Sequence, residues 1–279
     1  MTPLLPPRQF VCPTATGTIY HHGAHVTDWT PTGERPVLWL SEHAQFKSGS
    51  AIRGGVPICW PWFGGGQRGT ASPLHGFARL TNWYLVRTDE TAESVTATYL
   101  LVNARRDKFD FSYRLTYVVS FGRELTATLT VRNTDVRRFT FEAALHAYLA
   151  VGDIRQLTVT GLEDTEFLDR VAGHEIGPHH QTGDVTFEGE TDRIYHATGE
   201  IGLADPVIGR RLSLTRTGSE DAVVWNPWVA KAHAMTDFGD DEWTSMVCVE
   251  TANVAEHAVT LHPGREHVMG FTLRTAPLG

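Results

Sequence analysis

Cysteine, basic surplus and long apolar runs are all scarce in this chain, and each shortage closes a class of function. Three cysteines, Cys12, Cys59 and Cys248, are odd in number and scattered. They supply neither a disulfide framework nor a zinc-ligand spacing, so a reducing compartment is the simpler expectation. Lysine and arginine total 24 against 32 aspartates and glutamates, a formal charge of −8. Such a chain does not coat nucleic acid or an anionic membrane by bulk charge. An anionic ligand would have to be held by a few local arginines. No stretch approaches the roughly 18 consecutive apolar residues of a membrane helix. The opening MTPLLPPRQF lacks the charged head and apolar run of a secretory signal. No Asn-x-Ser/Thr acceptor is present either. The expected location is cytoplasmic.

What the sequence does have is a globular composition, with 41% hydrophobic and 20% charged residues, which excludes a disordered chain. Its readable periodicity is two. Phe111, Tyr113, Leu115, Tyr117 and Val119 alternate with polar residues. Beyond a turn at Gly122, so do Leu125, Ala127, Leu129 and Val131. That is a hairpin of half-buried strands. Segments 83–102, 139–150, 156–161, 193–203, 210–216, 222–226, 246–251, 257–262 and 267–274 also read as strands. No window carries a convincing helical stripe. Many short strands with 26 glycines and 14 prolines predict an all-β sandwich or barrel. No linker or charge block divides the chain, so residues 1–279 are expected to form one domain. The oddest stretch is 54–73, GGVPICWPWFGGGQRGTASP, an aromatic loop rich in glycine and proline. Ordered loops of this kind more often serve a binding site than a connection. A loop packed on its own tryptophans is the alternative.

Two short motifs mislead. Gly64-x-Gly66-x-x-Gly69 has the letters of a dinucleotide fingerprint, but WPWF precedes it and Pro73 follows, so no βαβ unit surrounds it. Asp237-Phe238-Gly239 has the letters of a kinase metal triplet without the accompanying loops, and a turn is the expectation. Fourteen histidines raise the question of a metal, with clusters at His21, His22 and His25 and at His174, His179 and His180. Adjacent His21 and His22 would point to opposite faces of a strand. Solvated surface histidine is the stronger explanation for both groups, and no metal is expected.

Two strands carry chemistry. In 139–150, FTFEAALHAYLA, one face is strongly apolar, and His146 projects from the other with Tyr148. Taken alone, this strand fits a hydrogen-bonded histidine on a solvated sheet better. In 246–251, MVCVET, Glu250 shares a face with Met246 and Cys248. A desolvated carboxyl has a raised pKa, which suits a base working near neutral pH. An exposed charge on an edge strand is the alternative. Arg53 and Arg79 flank turns rich in glycine, and each offers the fixed donor fork that matches phosphate or carboxylate.

Taken together, several segments resemble the aldose 1-epimerase (mutarotase) superfamily, and most closely its glucose-6-phosphate 1-epimerase branch. In order they are IRGGVPICWPWFG (52–64), HGFAR (75–79) with Trp83, EAALHAY (142–148), ETDRIY (190–195), VWNPW (224–228) with Lys231, DFGDDEW (237–243), Val249-Glu250 and HPG (262–264). The first and the DFGDDEW segment are specific to the branch. The resemblance implies a large antiparallel β-sandwich of the galactose-mutarotase type. It implies interconversion of the α and β anomers of hexose 6-phosphates, with His146 as general acid and Glu250 as general base. It further implies that His75 contacts the sugar, that Arg53 and Arg79 bind the phosphate, and that Asp192 binds a hydroxyl. Relatives often carry a polar residue before the His-Gly pair; here it is Leu74, and Gln67 is the candidate to supply the missing hydrogen bond. No cofactor is expected. The expected partner is a small-molecule sugar phosphate, with neither nucleic acid nor membrane, and the expected state is a monomer, with a dimer as the alternative. Two other functions remain open: a non-catalytic sugar-binding module on the same fold, and a mutarotase for free aldoses.

Overall fold

The computed structural model describes residues 5–175 and 177–279. Two eight-stranded sheets dominate. The first runs, in spatial order, Thr158–Thr160, Ile201–Asp205, Arg210–Thr217, Glu266–Pro277, Leu125–Asn133, Tyr113–Phe121, Val95–Val102 and Tyr84–Glu90. The second runs Pro178–His180, Glu166–Asp169, Thr191–His196, Asp221–Asn226, Met246–Asn253, Ala143–Leu145 and Ile58–Cys59, with Tyr148–Ala150 also paired to Met246–Asn253. Both sheets are antiparallel throughout. This is the expected all-β sandwich. A three-stranded sheet of Pro7–Cys12, Ala15–Tyr20 and His25–Pro31 was not legible in the sequence.

Strict alternation builds the core. Tyr113, Leu115, Tyr117, Val119, Leu125, Leu129 and Val131 all point inward from the hairpin of the first sheet. They share one apolar cluster with Leu145, Ala147, Val224, Val247 and Val249 of the second. The opposite face of the second sheet gathers Cys59, Phe63, Ala144, Ile194, Val223, Ala252 and Val254 into a separate small cluster. That second face carries the candidate site.

Some expectations needed correction. The run 139–150 is three short strands, Phe139–Phe141, Ala143–Leu145 and Tyr148–Ala150, because it crosses from one pairing partner to another. The run 193–203 is two strands in different sheets. Met246–Asn253 is an interior strand, buried along its whole length, so the edge-strand alternative for Glu250 fails. The short helix Trp228–Ala234 was not expected. His22 and His25 are buried rather than solvated. His22 Nε2 lies 2.8 Å from the Ser50 carbonyl and His25 Nε2 2.7 Å from that of Gly54. Burial lowers the His25 pKa to about 3. Among the described residues, no helix is long and apolar enough to cross a membrane.

Candidate active site

Register alone brings two distant residues together. Ala143, Ala144 and Leu145 stand opposite Asn253, Ala252 and Thr251, and Tyr148, Leu149 and Ala150 stand opposite Cys248, Val247 and Met246. The same register carried across the gap sets His146 opposite Glu250. Residues two apart share a face. His146 and Tyr148 therefore project beside Glu250 and Cys248, and next to them Val223 and Trp225, then Ile194 and Asp192. One sheet face thus presents an imidazole, two carboxyl groups, a phenol and an indole.

These side chains line a hollow of about 380 Å³, walled also by Arg53, Phe63, Leu74, His75, Arg79, Arg170, Lys231 and Met235. That is large enough for a sugar. His146 Nε2 lies 3.3 Å from Glu250 Oε1. Both groups are almost fully buried, and among the described residues neither Glu250 Oε2 nor His146 Nδ1 has a hydrogen-bond partner. Burial pushes the Glu250 carboxyl well above its usual range, helped by the nearby Asp192 charge and opposed by Arg79 and Arg170. Burial holds the His146 imidazole well below its usual range, with His75, Arg79 and Arg53 adding to the effect. The imidazole is stacked on Tyr148, ring centroids 4.8 Å apart and planes 11° apart, which fixes its plane.

The irregular loop and the His-Gly turn that follows it supply the next wall. Gly55 and Gly76 are required by close backbone approach. A Cβ on Gly55 would lie 2.1 Å from the Val26 carbonyl, and one on Gly76 2.0 Å from that of Trp60. Between Gly76 and the hollow, His75 adopts φ 61°, a left-handed conformation uncommon outside glycine. Its backbone N–H donates to the Gly64 carbonyl at 2.7 Å. The Gly64 N–H in turn reaches His75 Nδ1 at 3.4 Å. A ring nitrogen that accepts is unprotonated, so the neutral ring carries its proton on Nε2. Burial and three arginines, Arg79, Arg170 and Arg53, keep the His75 pKa well below the usual imidazole value. His75 is therefore a neutral hydrogen-bond donor.

Arg53 is held from two sides. Its Nε and Nη2 donate to Asp237 at 3.3 and 3.2 Å, and Nη1 donates to the Tyr148 hydroxyl at 2.9 Å. Burial opposes its charge, but Tyr148 and Asp237 prevail and raise its pKa. Arg79 Nη2 donates to the Leu74 carbonyl at 3.0 Å, and its buried Nε has no partner among the described residues. Asp192 has a raised pKa, chiefly from burial and against the Arg170 and Lys231 charges.

Six of the seven candidate residues, Arg53, His75, Arg79, His146, Asp192 and Glu250, thus meet at one hollow. Gln67 does not. Its Nε2 lies 3.4 Å from the Ala255 carbonyl, and it lines a neighbouring cavity of about 280 Å³ with Pro61, Trp62 and Phe141. The glycine turns at 64–69 carry it over the rim, so it does not make good the change at Leu74. Of the loop aromatics only Phe63 reaches the hollow; Trp60 is core. Two cations escaped sequence reasoning. Lys231 sits in a quoted segment but had no role; its Nζ is 2.7 Å from Glu190 Oε1. Arg170, just past strand Glu166–Asp169, reaches the Phe63 ring at 5.9 Å, and no motif marks it.

The comparisons agree with this geometry. The sequence profile of the family described as Aldose 1-epimerase matches residues 14–274. A Cenchrus ciliaris protein named "Putative glucose-6-phosphate 1-epimerase" is 38% identical over 272 residues, covering 93% of this chain and 81% of that one. A protein of the same name from Escherichia coli K12 is 37% identical, covering 84% and 78%. The crystal structure of a mutarotase-named protein, YeaD of Salmonella typhimurium, superposes with a TM-score of 0.89 at 32% identity, covering 99% of this chain and 95% of that one. The chain belongs to the aldose 1-epimerase superfamily, in its glucose-6-phosphate 1-epimerase family, and is a sugar mutarotase.

Proposed function

We propose that the chain interconverts the α and β anomers of hexose 6-phosphates, glucose 6-phosphate among them, with Glu250 and His146 as the proton-transfer pair. The observation that carries this reading is the buried pair itself, 3.3 Å apart, in a hollow whose rim holds arginines. Anomer exchange opens the ring at C1. The C1 hydroxyl proton goes to Glu250, and the electron pair left on that oxygen forms the aldehyde carbonyl. The C1–O5 bond breaks, and O5 takes a proton from His146. The aldehyde turns about C1–C2, and closure on the other face reverses both transfers. The two oxygens are bonded to the same carbon, so two adjacent groups can serve both.

The pair holds one proton at every stage. Ring opening takes it from carboxylate and imidazolium, the pair of charges that burial disfavours, to carboxylic acid and neutral imidazole with the open chain. Burial favours the neutral forms, so the protein stabilises the state that accompanies the ring-opened intermediate. Each positioned group typically contributes about 10²–10⁴ in rate, or roughly 3–5 kcal/mol. His75 and Asp192 are proposed to hold sugar hydroxyls, Trp225 and Phe63 to cover the apolar face of the ring, and Arg53 and Arg79 to hold the phosphate. A dianion approaching a chain of charge −8 needs such local cations.

The test is magnetisation-exchange NMR on glucose, galactose and mannose 6-phosphates with free glucose as control. Enzyme-dependent exchange of at least one hexose 6-phosphate, with a much smaller kcat/KM for glucose, is expected. Equal efficiency on free glucose would make the protein a free-aldose mutarotase, and binding without exchange would make it a sugar-binding module.

A further inference from the structure

Beyond the hollow, the same sheet face carries a second cluster that the anomerisation does not use. His196 stands opposite Asp221 in the pairing of Thr191–His196 with Asp221–Asn226. Asp221 is fully buried. Its Oδ1 lies 3.0 Å from His196 Nδ1 and 2.7 Å from His257 Nδ1, and its Oδ2 accepts from the Val254 backbone at 3.0 Å. His257 closes the short turn Ala255–His257, which follows the strand bearing Glu250. Glu256, in the same turn, brings Oε1 to 3.1 Å from His196 Nε2. His196, Glu256 and His257 each offer one ligand atom within 4.8 Å of the others.

We propose that His196, His257 and Glu256 form a binding site for one divalent transition-metal ion of the zinc class, with Asp221 as the group that orients both rings. One buried carboxylate engages both Nδ1 atoms, which leaves Nε2 as the nitrogen each ring can offer. That carboxylate–histidine arrangement is how zinc sites set tautomer and ring direction. Two imidazoles and a carboxylate with a further position open to water suit zinc. Zn–N and Zn–O bonds of about 2.0–2.1 Å subtend an edge of roughly 3.3 Å in a tetrahedron, close to the 3.1 Å between His196 Nε2 and Glu256 Oε1. Residues of the small apolar cluster, Ala144, Ala252 and Val254 among them, lie on the same face as the catalytic pair and this site. The ion would staple the turn at 254–257 to the sheet edge and take no part in the proton transfers.

The experiment is a competition titration of the chelator-stripped full chain with zinc and a chromophoric chelator, repeated with cobalt for its visible spectrum. One equivalent bound below about 1 µM, tetrahedral cobalt bands and a Tm raised by roughly 5 °C at saturation are expected. His196→Gln and His257→Gln should each weaken that equivalent at least 100-fold. Glu256→Gln, on an exposed side chain that does not threaten the fold, should weaken it about 10-fold and leave anomer exchange unchanged. His174→Ala should leave the affinity unaltered. Absence of any equivalent tighter than about 10 µM, or its survival undiminished in both Glu256→Gln and His257→Gln, overturns the proposal.

Discussion

Replacing Arg53 by alanine should damage binding of a phosphorylated sugar more than the loss of one hydrogen bond would suggest. Arg53 spends two donors on Asp237 and one on Tyr148. Its removal takes away a cation and also leaves Asp237 as an uncompensated anion at the rim. A hydrogen bond to a charged group contributes about 1.5–3 kcal/mol, or roughly 10- to 150-fold in KM. The freed carboxylate adds repulsion toward the dianion. Asp237→Asn in the Arg53→Ala background removes that repulsion, so the double variant should recover about 3- to 10-fold of the loss. Asp237→Asn alone, with Arg53 intact, should bind the phosphate at least as well as the parent. The assay is anomer exchange with glucose 6-phosphate and with free glucose, each over a full concentration range. KM for free glucose should change less than about 3-fold. Equal effects of Arg53→Ala on both sugars, or no recovery in the double variant, would refute this account of the rim.

Three further outcomes follow from the buried pair and its surroundings. The pH profile of kcat/KM should be broad, because the pair must hold one proton. Lowering of His146 postpones the second proton to acid pH, and raising of Glu250 postpones loss of the last proton to alkaline pH; a sharp optimum confined to pH 5–6 would contradict both directions. Glu250→Gln should unfold at a Tm at or above the parent's. A carboxyl whose folded pKa is raised contributes stability below its unfolded value of 4.5 and loses it as pH rises toward the folded value, so the gain should grow with pH in thermal melts; a Tm falling by several degrees at pH 7–8 would mean that Glu250 is a structural partner. Trp225→Ala should raise KM for phosphorylated and free sugars alike, by about 10-fold, since an indole covering a ring face contributes roughly 1–2 kcal/mol; an unchanged KM would remove the indole from the sugar site.

Side-chain parity was legible in the sequence, and strand neighbourhood was not. Alternation alone places His146 with Tyr148, and Glu250 with Cys248, because the β period is two. It does not say that residue 146 faces residue 250, since register between segments 100 residues apart is set by the whole core. The resemblance to known enzymes supplied that link. The same limit explains the misjoined run 193–203. Tyr195, Ala197, Ile201 and Leu203 keep one parity and are all buried, although the chain changes sheets between them. Glycine and proline mark the loop at 54–73 as irregular, but which of its side chains enters the hollow depends on backbone turns that composition does not encode. Hence Phe63 enters while Gln67 points to Ala255. Arg170 and the Asp221 cluster carry no motif, because long-range pairing assembles them from separate strands.

The central claim is that one carboxyl group takes the C1 hydroxyl proton of a bound hexose 6-phosphate while one imidazole protonates its ring oxygen. Exchange NMR between the anomers of glucose 6-phosphate, run with the parent protein and with Glu250→Gln at saturating substrate, tests it most directly. The account requires exchange well above the spontaneous rate for the parent and a fall of at least 100-fold in the variant, with substrate still bound. A variant that exchanges anomers at near the parent's rate would contradict it.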